Sequence, residues 1–355
     1  MLNNIFFRIL MSPFALIYGG IVKMRQLSYQ LQLLRSSRFD VPTIVVGNLS
    51  TGGVGKSPHI EYLIRLLEPY INVAVLSRGY KRKTEGFRLV QPDNTALEVG
   101  DEPLQFKRKY PSVPVAVGER RAYAIPQMLY QHPDIQTILL DDAFQHLAVQ
   151  PYLNVLVTEY SRPYTKDYIL PMGNLREGRS GAERADIIIV SKCPTDMQDA
   201  EKQRFIKDIN PYSLQKVFFS YYDYATPNHI FDPSVKFELD AETEVLLVTG
   251  IARVDYLVEN LSHRVKAVTT LSFEDHRIFS NYDVAHVKTL FDQMTGRKKV
   301  ILTTEKDATR LELHKDYIVE NQLNIFAIPV EVKFLFDEQA AFDEEIKQRL
   351  LDFKI

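Results

Sequence analysis

The sequence has little cysteine and little net charge. It contains one cysteine, Cys193, among 355 residues, and its formal net charge at pH 7 is -2. A single cysteine excludes an internal disulfide framework, fits a reducing cytoplasm and leaves no cysteine–histidine cluster with zinc spacing. The near-neutral charge gives no support for a nucleic-acid partner. The length indicates about two domains.

Acidic residues are absent before Asp40, and the same segment is basic and apolar. Fourteen uncharged residues separate Arg8 from Lys23, fewer than the roughly 20 that a spanning helix needs. No secretory signal is recognisable. We predict that residues 1–38 form an amphipathic, membrane-associating segment, with apolar side chains in the lipid and cations at anionic headgroups. The alternative is a helix packed on the protein's own core.

Short apolar runs alternate with helical periodicity along the rest of the chain. The runs predict strands covered on both faces, joined by right-handed crossovers into a parallel sheet. They lie at 43–47, 73–77, 113–117, 137–141, 154–158 and 186–191, and a second series lies at 245–250, 265–271, 299–304 and 325–330. We predict an α/β protein with a P-loop NTPase-type domain (39–210), a linker (211–240) and a smaller α/β domain (241–355) that closes a cleft.

The stretch "VVGNLSTGGVGKSPHIEYLIRLL" (45–67) reads as a strand, a glycine-rich loop and a helix. It fits the phosphate-loop pattern G-x-x-x-x-G-K-[ST], except that Ser50 occupies the first glycine position. Lys56 would reach the β- and γ-phosphates, and the Ser57 hydroxyl would bind Mg²⁺. The alternative is a turn that binds nothing. The predicted nucleotide-binding residues are Ser50, Thr51, Gly52, Gly53, Val54, Gly55, Lys56 and Ser57.

Three acidic positions elsewhere complement this loop. In "TILLDDAFQH" an apolar strand ends at Asp141 and Asp142, where one carboxylate could hold Mg²⁺; a helix cap is the alternative. Asp101 in "VGDEPLQF" precedes a helix and could be only an N-cap. His276 in "SFEDHR" could pair with an aspartate across the cleft and accept a proton from a sugar or alcohol hydroxyl.

The motifs together are more specific than any one of them. The segments "VPTIVVGNLSTGGVGKSP", "LSRGY", "GDEP", "DDAFQH", "LPMGNLRE", "FEDH" and "TTEKDA" occur in this order. This set resembles the tetraacyldisaccharide 4′-kinase (lipid A 4′-kinase) family, from the N-terminal apolar segment to about Arg310. The chain departs from the family's usual pattern at Ala143, where glycine is common, at "LPMGNLRE" and at "GVGKS". None of these changes removes a reacting group.

The resemblance implies ATP-dependent phosphorylation of the 4′-hydroxyl of tetraacyldisaccharide 1-phosphate, which gives lipid IVA in lipid A biosynthesis. It implies Mg-ATP as the phosphate donor and a peripheral location on the cytoplasmic face of the bacterial inner membrane. By the same resemblance, residues 50–57 hold the ATP phosphates and Asp141 and Asp142 lie near Mg²⁺. Asp101 is the general base and His276 is its partner. Arg176 and Glu177 lie near the cleft, and no protein partner is implied.

Two other classes of nucleotide-binding protein share parts of the pattern. A membrane-associated regulatory P-loop ATPase that switches partner binding is the main alternative, but such ATPases carry an extra lysine where this chain has Thr51. A GTPase would read guanine with N/T-K-x-D. Here "SKCP" (191–194) has Pro194 in place of that aspartate, and "TEKD" joins Lys306 directly to Asp307.

Overall fold

Two sheets organise the chain in the computed structural model, which describes residues 5–251 and 253–354. Within these residues the first sheet has nine strands in the order β14-β8-β7-β6-β1-β5-β2-β4-β3. Neighbours are parallel except at the two ends, where β3 pairs with β4 and β14 with β8 in antiparallel fashion. The strands are β1 (Thr43–Gly47), β2 (Val73–Ser77), β3 (Arg88–Leu89), β4 (Val115–Val117), β5 (Thr137–Asp141), β6 (Leu153–Glu159), β7 (Ile187–Ser191), β8 (Lys216–Tyr224) and β14 (Val330–Phe334).

Every residue of β1, β2, β5 and β7 is buried. Unbroken apolar runs are expected for parallel strands with helices on both faces. The predicted runs 43–47, 73–77 and 137–141 coincide with β1, β2 and β5. The α/β fold class and its parallel sheet are therefore confirmed.

The crossover helices cover this sheet. In the helix that follows β1, Ile60, Leu63, Ile64 and Leu67 are buried against the sheet, as their helical spacing predicts. The helices before the second sheet are α1 (Ile5–Gln30), α2 (Lys56–Leu67), α3 (Ala96–Val99), α4 (Asp101–Lys109), α5 (Arg121–Gln131) and α6 (Asp199–Ile209), with 3₁₀ turns at Tyr164–Lys166 and Arg179–Arg184.

The second sheet has five strands in the described residues, in the order β11-β10-β12-β13-β9. Only β9 is antiparallel to its neighbour. The strands are β9 (Asn228–His229), β10 (Thr243–Thr249), β11 (Ala267–Ser272), β12 (Lys298–Thr304) and β13 (Ile325–Ile328). The remaining helices are α7 (Asp255–Ser262), α8 (Asn281–Gln293), α9 (Glu305–Leu311), α10 (Lys315–Glu320) and α11 (Gln339–Leu351), with a 3₁₀ turn at Glu312–His314.

The chain passes between the two sheets twice, so the two halves do not follow the predicted boundaries. The predicted linker, 211–240, contains β8, which pairs with β7 and extends the first sheet. The predicted second domain, 241–355, contains β14 and α11, which return to the first sheet. There Phe342 packs on Phe334, with ring centroids 4.4 Å apart. The aromatic residues of 216–224 contribute to this core, since Phe218 and Phe219 are buried.

Helix α1 is 26 residues long, about 39 Å at 1.5 Å per residue. Its most apolar 18-residue window has a mean hydropathy of 1.8 and is 6% buried. It is the one helix in 5–251 and 253–354 that is long and apolar enough to cross a membrane. The sequence predicted an apolar segment too short to span a membrane, because only the uncharged residues between Arg8 and Lys23 were counted. The observed helix is longer, since it continues past both of these residues. The low burial also argues against a helix packed on the protein's own core.

Candidate active site

A cavity of about 1080 Å³ opens where β1 and β5 end and α2 begins. Residues of the domain around the first sheet, of the domain around the second sheet and of α1 line this cavity. The lining includes most of the predicted site residues: 51–57, Asp141, Asp142, Arg176, Glu177 and His276. Two predicted residues lie behind this surface, since Ser50 and Asp101 are buried. Ligands of open parallel sheets bind at this edge, the carboxyl end of the strands.

The glycine-rich loop has a backbone that requires glycine. Gly52 and Gly55 have φ angles of 103° and 98°, which residues with a Cβ rarely adopt. A Cβ on Gly55 would also lie 2.0 Å from the Tyr222 hydroxyl. Helix α2 starts at Lys56, so its N-terminal dipole faces the loop and favours an anion there. The loop therefore has the geometry of a phosphate-binding turn.

Neighbouring side chains fix this loop in place. Lys192 Nζ donates to the Gly53 carbonyl at 2.6 Å, and Ser191 Oγ donates to the Val54 carbonyl at 2.6 Å. His59 Nδ1 lies 2.7 Å from the Gly55 carbonyl. Burial lowers the pKa of His59 to about 4, so this histidine is a neutral structural tether.

Asp142 is compensated by two cations. Arg176 donates to both of its carboxylate oxygens at 3.0 and 3.1 Å, and Lys56 Nζ lies 3.5 Å from Oδ2. Burial opposes ionisation, but Lys56 and then Arg176 outweigh it and lower the pKa of Asp142. Asp142 is thus an ionised residue that orients the loop lysine and the arginine.

Asp141 lies in the opposite environment. It is 1% exposed, its Oδ2 accepts from Ser77 at 2.9 Å, and its Oδ1 has no hydrogen-bond partner in the described parts of the chain. Burial, followed by the charges of Glu102 and Asp142, raises the pKa of Asp141 to about 7, against the opposing charge of Lys56. An unpartnered buried carboxylate oxygen among acidic groups fits a bound cation.

These acidic groups do not form a complete metal site on their own. No group of three or more His, Cys, Asp or Glu within the described ranges has the arrangement of a metal site. The Ser57 hydroxyl, predicted to bind Mg²⁺, donates to Glu102 Oε1 at 3.1 Å. Phosphate oxygens and water usually complete a Mg²⁺ shell that includes only one or two carboxylates.

Asp101 and His276, which are 175 positions apart, are in direct contact. His276 Nδ1 lies 2.9 Å from Asp101 Oδ2. Asp101 is the first residue of α4, after the cap residue Gly100, and its Oδ1 accepts from the Glu102 amide at 2.9 Å. Asp101 is 5% exposed. Burial opposes ionisation, but Lys306 and His276 hold the pKa of Asp101 well below its usual range.

The loop that contains Arg176 and Glu177 connects the site to α1. Tyr18 of α1 donates to the Arg176 carbonyl at 2.9 Å, and Gln26 hydrogen-bonds Glu177. Glu177 is buried and also accepts from Gln145 at 2.9 Å and Arg184 at 2.8 Å. The predicted pair, Arg176 and Glu177, therefore links the acidic residues of the cavity to the apolar N-terminal helix.

Sequence reasoning missed three residues of this cluster. Lys306 Nζ lies 3.0 Å from Glu102 Oε1 and 3.1 Å from His276 Nε2. Arg310 Nε lies 3.4 Å from Asp101 Oδ2. Glu102 and Lys306 stand inside the quoted motifs "GDEP" and "TTEKDA", which was the available signal. Their roles depend on a contact between domains that a single sequence does not reveal.

The cavity combines a glycine-rich phosphate loop after the first strand with aspartates at the end of the adjacent strand. A histidine–aspartate pair lies across the cleft. This combination is typical of a P-loop phosphotransferase. The model of one family, described as LpxK, tetraacyldisaccharide-1-P 4′-kinase, matches residues 7–351. The chain belongs to this family. The predicted family and kinase class are confirmed, as is the predicted function as a tetraacyldisaccharide 4′-kinase of lipid A biosynthesis.

Relatives of similar length share this assignment. The chain is 43% identical over 346 residues to the tetraacyldisaccharide 4′-kinase of Bacteroides thetaiotaomicron, covering 94% of this chain and 91% of that protein. It is 40% identical over 358 residues to that of Parabacteroides distasonis, covering 98% and 96%. The crystal structure of "apo" form LpxK from Aquifex aeolicus in complex with ATP is similar with a TM-score of 0.71 and 26% identity, over 97% of this chain and 99% of that chain.

Proposed function

We propose that the chain transfers the γ-phosphate of ATP to the 4′-hydroxyl of tetraacyldisaccharide 1-phosphate, at the cytoplasmic face of the bacterial inner membrane. One observation carries the proposal: His276, which Asp101 contacts from behind the cavity wall, faces the phosphate loop across a cavity that extends to α1. A proton acceptor, a phosphate-binding turn and an apolar helix thus share one cleft. An acylated sugar acceptor needs all three.

Residues 50–57 would hold the ATP phosphates, as the ATP complex of the A. aeolicus relative supports. The loop amides and the N-terminus of α2 favour negative charge. Lys56 would neutralise the β- and γ-phosphates. Asp142 and Asn48 hold its Nζ at 3.5 and 3.4 Å, respectively, so the ammonium is oriented before the nucleotide binds.

Ser57 and Asp141 are the residues that would hold Mg²⁺. Asp141 fits this role better than Asp142, because its Oδ1 is unpartnered whereas Asp142 is already paired with Arg176 and Lys56. The ion, when bound, neutralises charge on the phosphate oxygens of ATP.

The structure supports a different division of labour in the catalytic pair from the expected one, in which Asp101 is the general base. Both oxygens of Asp101 are engaged, Oδ2 by His276 and Oδ1 by the Glu102 amide, and the side chain is buried. His276 lines the cavity. We assign proton acceptance to His276 Nε2 and orientation of the ring to Asp101. The 4′-oxygen then forms its bond to phosphorus as ADP departs, and its proton goes to Nε2.

Helix α1 would place the site at the bilayer. Most of its exposed side chains are apolar, Phe14 and Ile17 among them, and the cations Lys23 and Arg25 are exposed as well. Arg176 and Glu177 contact the inward side of the same helix. The acyl chains of a lipid acceptor could then stay in the membrane while the sugar reaches the cleft.

The test is phosphate transfer itself. The full-length protein is incubated in detergent with γ-labelled ATP, Mg²⁺ and the disaccharide 1-phosphate, and label on the 4′ position is expected. Asp101→Asn should lower turnover about 100-fold or more while ATP affinity stays near that of the wild type. Lys56→Met serves as the control that weakens the nucleotide site. A folded protein that hydrolyses ATP without labelling the lipid would refute the proposal and favour a regulatory ATPase.

A further inference from the structure

We propose that Lys306 is a positioning residue for His276: its ammonium holds the imidazole in the one neutral tautomer that can accept a proton from the cleft. The inference rests on the proposed function, because it concerns the group assigned as the proton acceptor. Lys306 is the second residue of α9, in the domain that also supplies His276.

The contacts of Lys306 place its charge directly on the ring. Its Nζ lies 3.1 Å from His276 Nε2, 3.0 Å from Glu102 Oε1 and 3.9 Å from Asp101 Oδ2. Burial opposes the charged form, but Glu102 and Asp101 raise the pKa of Lys306 above its usual value. The group that meets Nε2 is therefore an ammonium.

An ammonium has three N–H donors and no acceptor. Nε2 must then be the acceptor in this contact, which requires its lone pair to be free of a proton. The proton of the neutral ring consequently lies on Nδ1, which donates to Asp101 Oδ2 at 2.9 Å. The two contacts together select a single tautomer, with its basic nitrogen towards the cavity.

Without Lys306 the surroundings would favour the opposite outcome. Asp101 contacts one side of the ring, and Asp275 Oδ1 lies 3.8 Å from Nε2. Glu102 reaches the same region through its contact with Lys306. Asp101 keeps one proton on Nδ1, and the negative charges of Asp275 and Glu102 then favour a second proton on Nε2, which makes the ring a cation. A ring with a proton on Nε2 cannot accept another from the sugar.

The lysine also marks where the acceptor hydroxyl binds. Nε2 has one lone pair, so the 4′-hydroxyl and the ammonium compete for it, and the substrate must displace the ammonium. Glu102 Oε1 accepts from both Lys306 and Ser57, so it can retain the displaced ammonium beside the phosphate loop. Lys306 thus occupies the acceptor position until the hydroxyl arrives.

The first experiment reads the tautomer without using activity. Full-length protein carries ¹⁵N-labelled histidine, and His276→Asn identifies the ring signals. We expect wild type and Lys306→Arg to show a protonated Nδ1 and an unprotonated Nε2. Lys306→Met, or Lys306→Gln if the methionine variant does not fold, should shift the signals towards a protonated Nε2. Lys288→Met is the matched control, because this lysine of α8 hydrogen-bonds Asp292 on the protein surface. Unchanged His276 signals in the folded Lys306 variant would overturn the proposal.

The second experiment separates positioning from phosphate binding. Lys306→Met should lower kcat about 100-fold and leave the KM for ATP within about twofold. Lys306→Cys should regain activity after reaction with 2-bromoethylamine, which rebuilds an ammonium at nearly the same reach. The native Cys193 is 0% exposed, so treated wild type is the control. A raised KM for ATP with unchanged kcat would overturn the proposal.

These readouts distinguish a failure of the proposed function from a failure of the positioning role. A wild-type protein that transfers no phosphate to the disaccharide refutes the proposed function, whatever the tautomer. A protein that transfers phosphate but keeps its His276 tautomer without Lys306 refutes only the positioning role.

Discussion

Two adjacent aspartates, Asp141 and Asp142, have opposite surroundings although they share one strand end. Asp142 is paired with Arg176 and Lys56, whereas Asp141 keeps one carboxylate oxygen without a partner in the described residues. A buried carboxylate that lacks compensation destabilises the fold unless a cation binds. The same residue can therefore weaken the metal-free protein and serve the loaded one, a recurring trade-off at active sites.

Replacing Asp141 should separate these two effects. At pH 8, above its pKa of about 7, Asp141 is mostly charged, and Asp141→Asn should raise the melting temperature of the metal-free protein by a few degrees. Turnover with Mg-ATP should fall about 100-fold, by analogy with the loss of one oriented electrostatic contact. Calorimetry and the phosphate-transfer assay measure the two quantities.

Asp142→Asn is the matched control. It leaves Lys56 and Arg176 without their shared anion, so the melting temperature should fall. Equal destabilisation by both substitutions would contradict the view that Asp141 alone is uncompensated.

At the scale of elements, Lys109 of α4 joins three helices. Its Nζ lies 2.7 Å from Glu61 on α2 and 2.8 Å from Glu305 on α9. Glu61 is 1% exposed. Burial and the charge of Glu305 raise the pKa of Glu61 to about 7, against the opposing charge of Lys109. Lys109 thus connects α2, the helix after the phosphate loop, to the second domain through Glu305. Glu305 directly precedes Lys306 in the chain.

Lys109→Met should destabilise the protein in a pH-dependent way. The folded-state pKa of Glu61 lies above its ordinary value of 4.5, so its contribution to stability is present below about pH 4.5 and is lost as the pH rises through 7. Without Lys109 that loss grows, because Glu61 and Glu305 lose the ammonium that they share. We expect a cost of about 3 kcal/mol at pH 8 and a smaller one at pH 5.5, measured by urea unfolding.

The double variant Glu61→Gln/Lys109→Met provides the control for this prediction. It removes one of the two carboxylates that share Lys109, so it should recover part of the stability at pH 8. A pH-independent loss in Lys109→Met, or no recovery in the double variant, would show that the ion cluster is not the cause.

Helix α1 carries the second prediction at this scale. Deleting residues 1–22 removes most of its exposed apolar surface and the Tyr18 contact, and retains the Gln26–Glu177 contact. The truncated protein should no longer sediment with vesicles that contain anionic lipid, and it should still bind ATP. Vesicles of neutral lipid serve as the control and show how much of the binding depends on the charge of the lipid. Unchanged binding to anionic vesicles would place the membrane contact elsewhere.

Local patterns predicted the elements better than the connections between them. The strand, loop and helix of 45–67 were predictable because periodicity and glycine positions are local properties. The pairing of β8 with β14 joins Tyr224 to Val330, and no local signal identifies the partner of an aromatic-rich strand. The contact of Lys306 with His276 likewise depends on how helix α9 and the loop after β11 meet α4.

At the scale of the whole molecule, the site is divided between two domains that the chain crosses twice. The P-loop domain supplies Lys56, Asp141 and Asp101, and the second domain supplies His276 and Lys306. The contacts of Arg108 with Glu312 and of Glu159 with Arg253 also cross the cleft. Nucleotide binding to one domain should therefore change the dynamics of the other, since closure excludes water from the phosphate.

Hydrogen exchange measures this coupling directly. Adding Mg²⁺ and a non-hydrolysable ATP analogue should slow exchange in residues 50–67, and also in 272–278 and 303–311 of the second domain, which do not belong to the phosphate loop. The protection should be absent in Lys56→Met at the same analogue concentration, because that variant lacks the cation that we propose pairs with the phosphates. Protection confined to 50–67 would mean that the cleft seen here is already fully assembled without nucleotide. The second domain would then act as a fixed wall, and the ion cluster around Lys109 would serve stability alone.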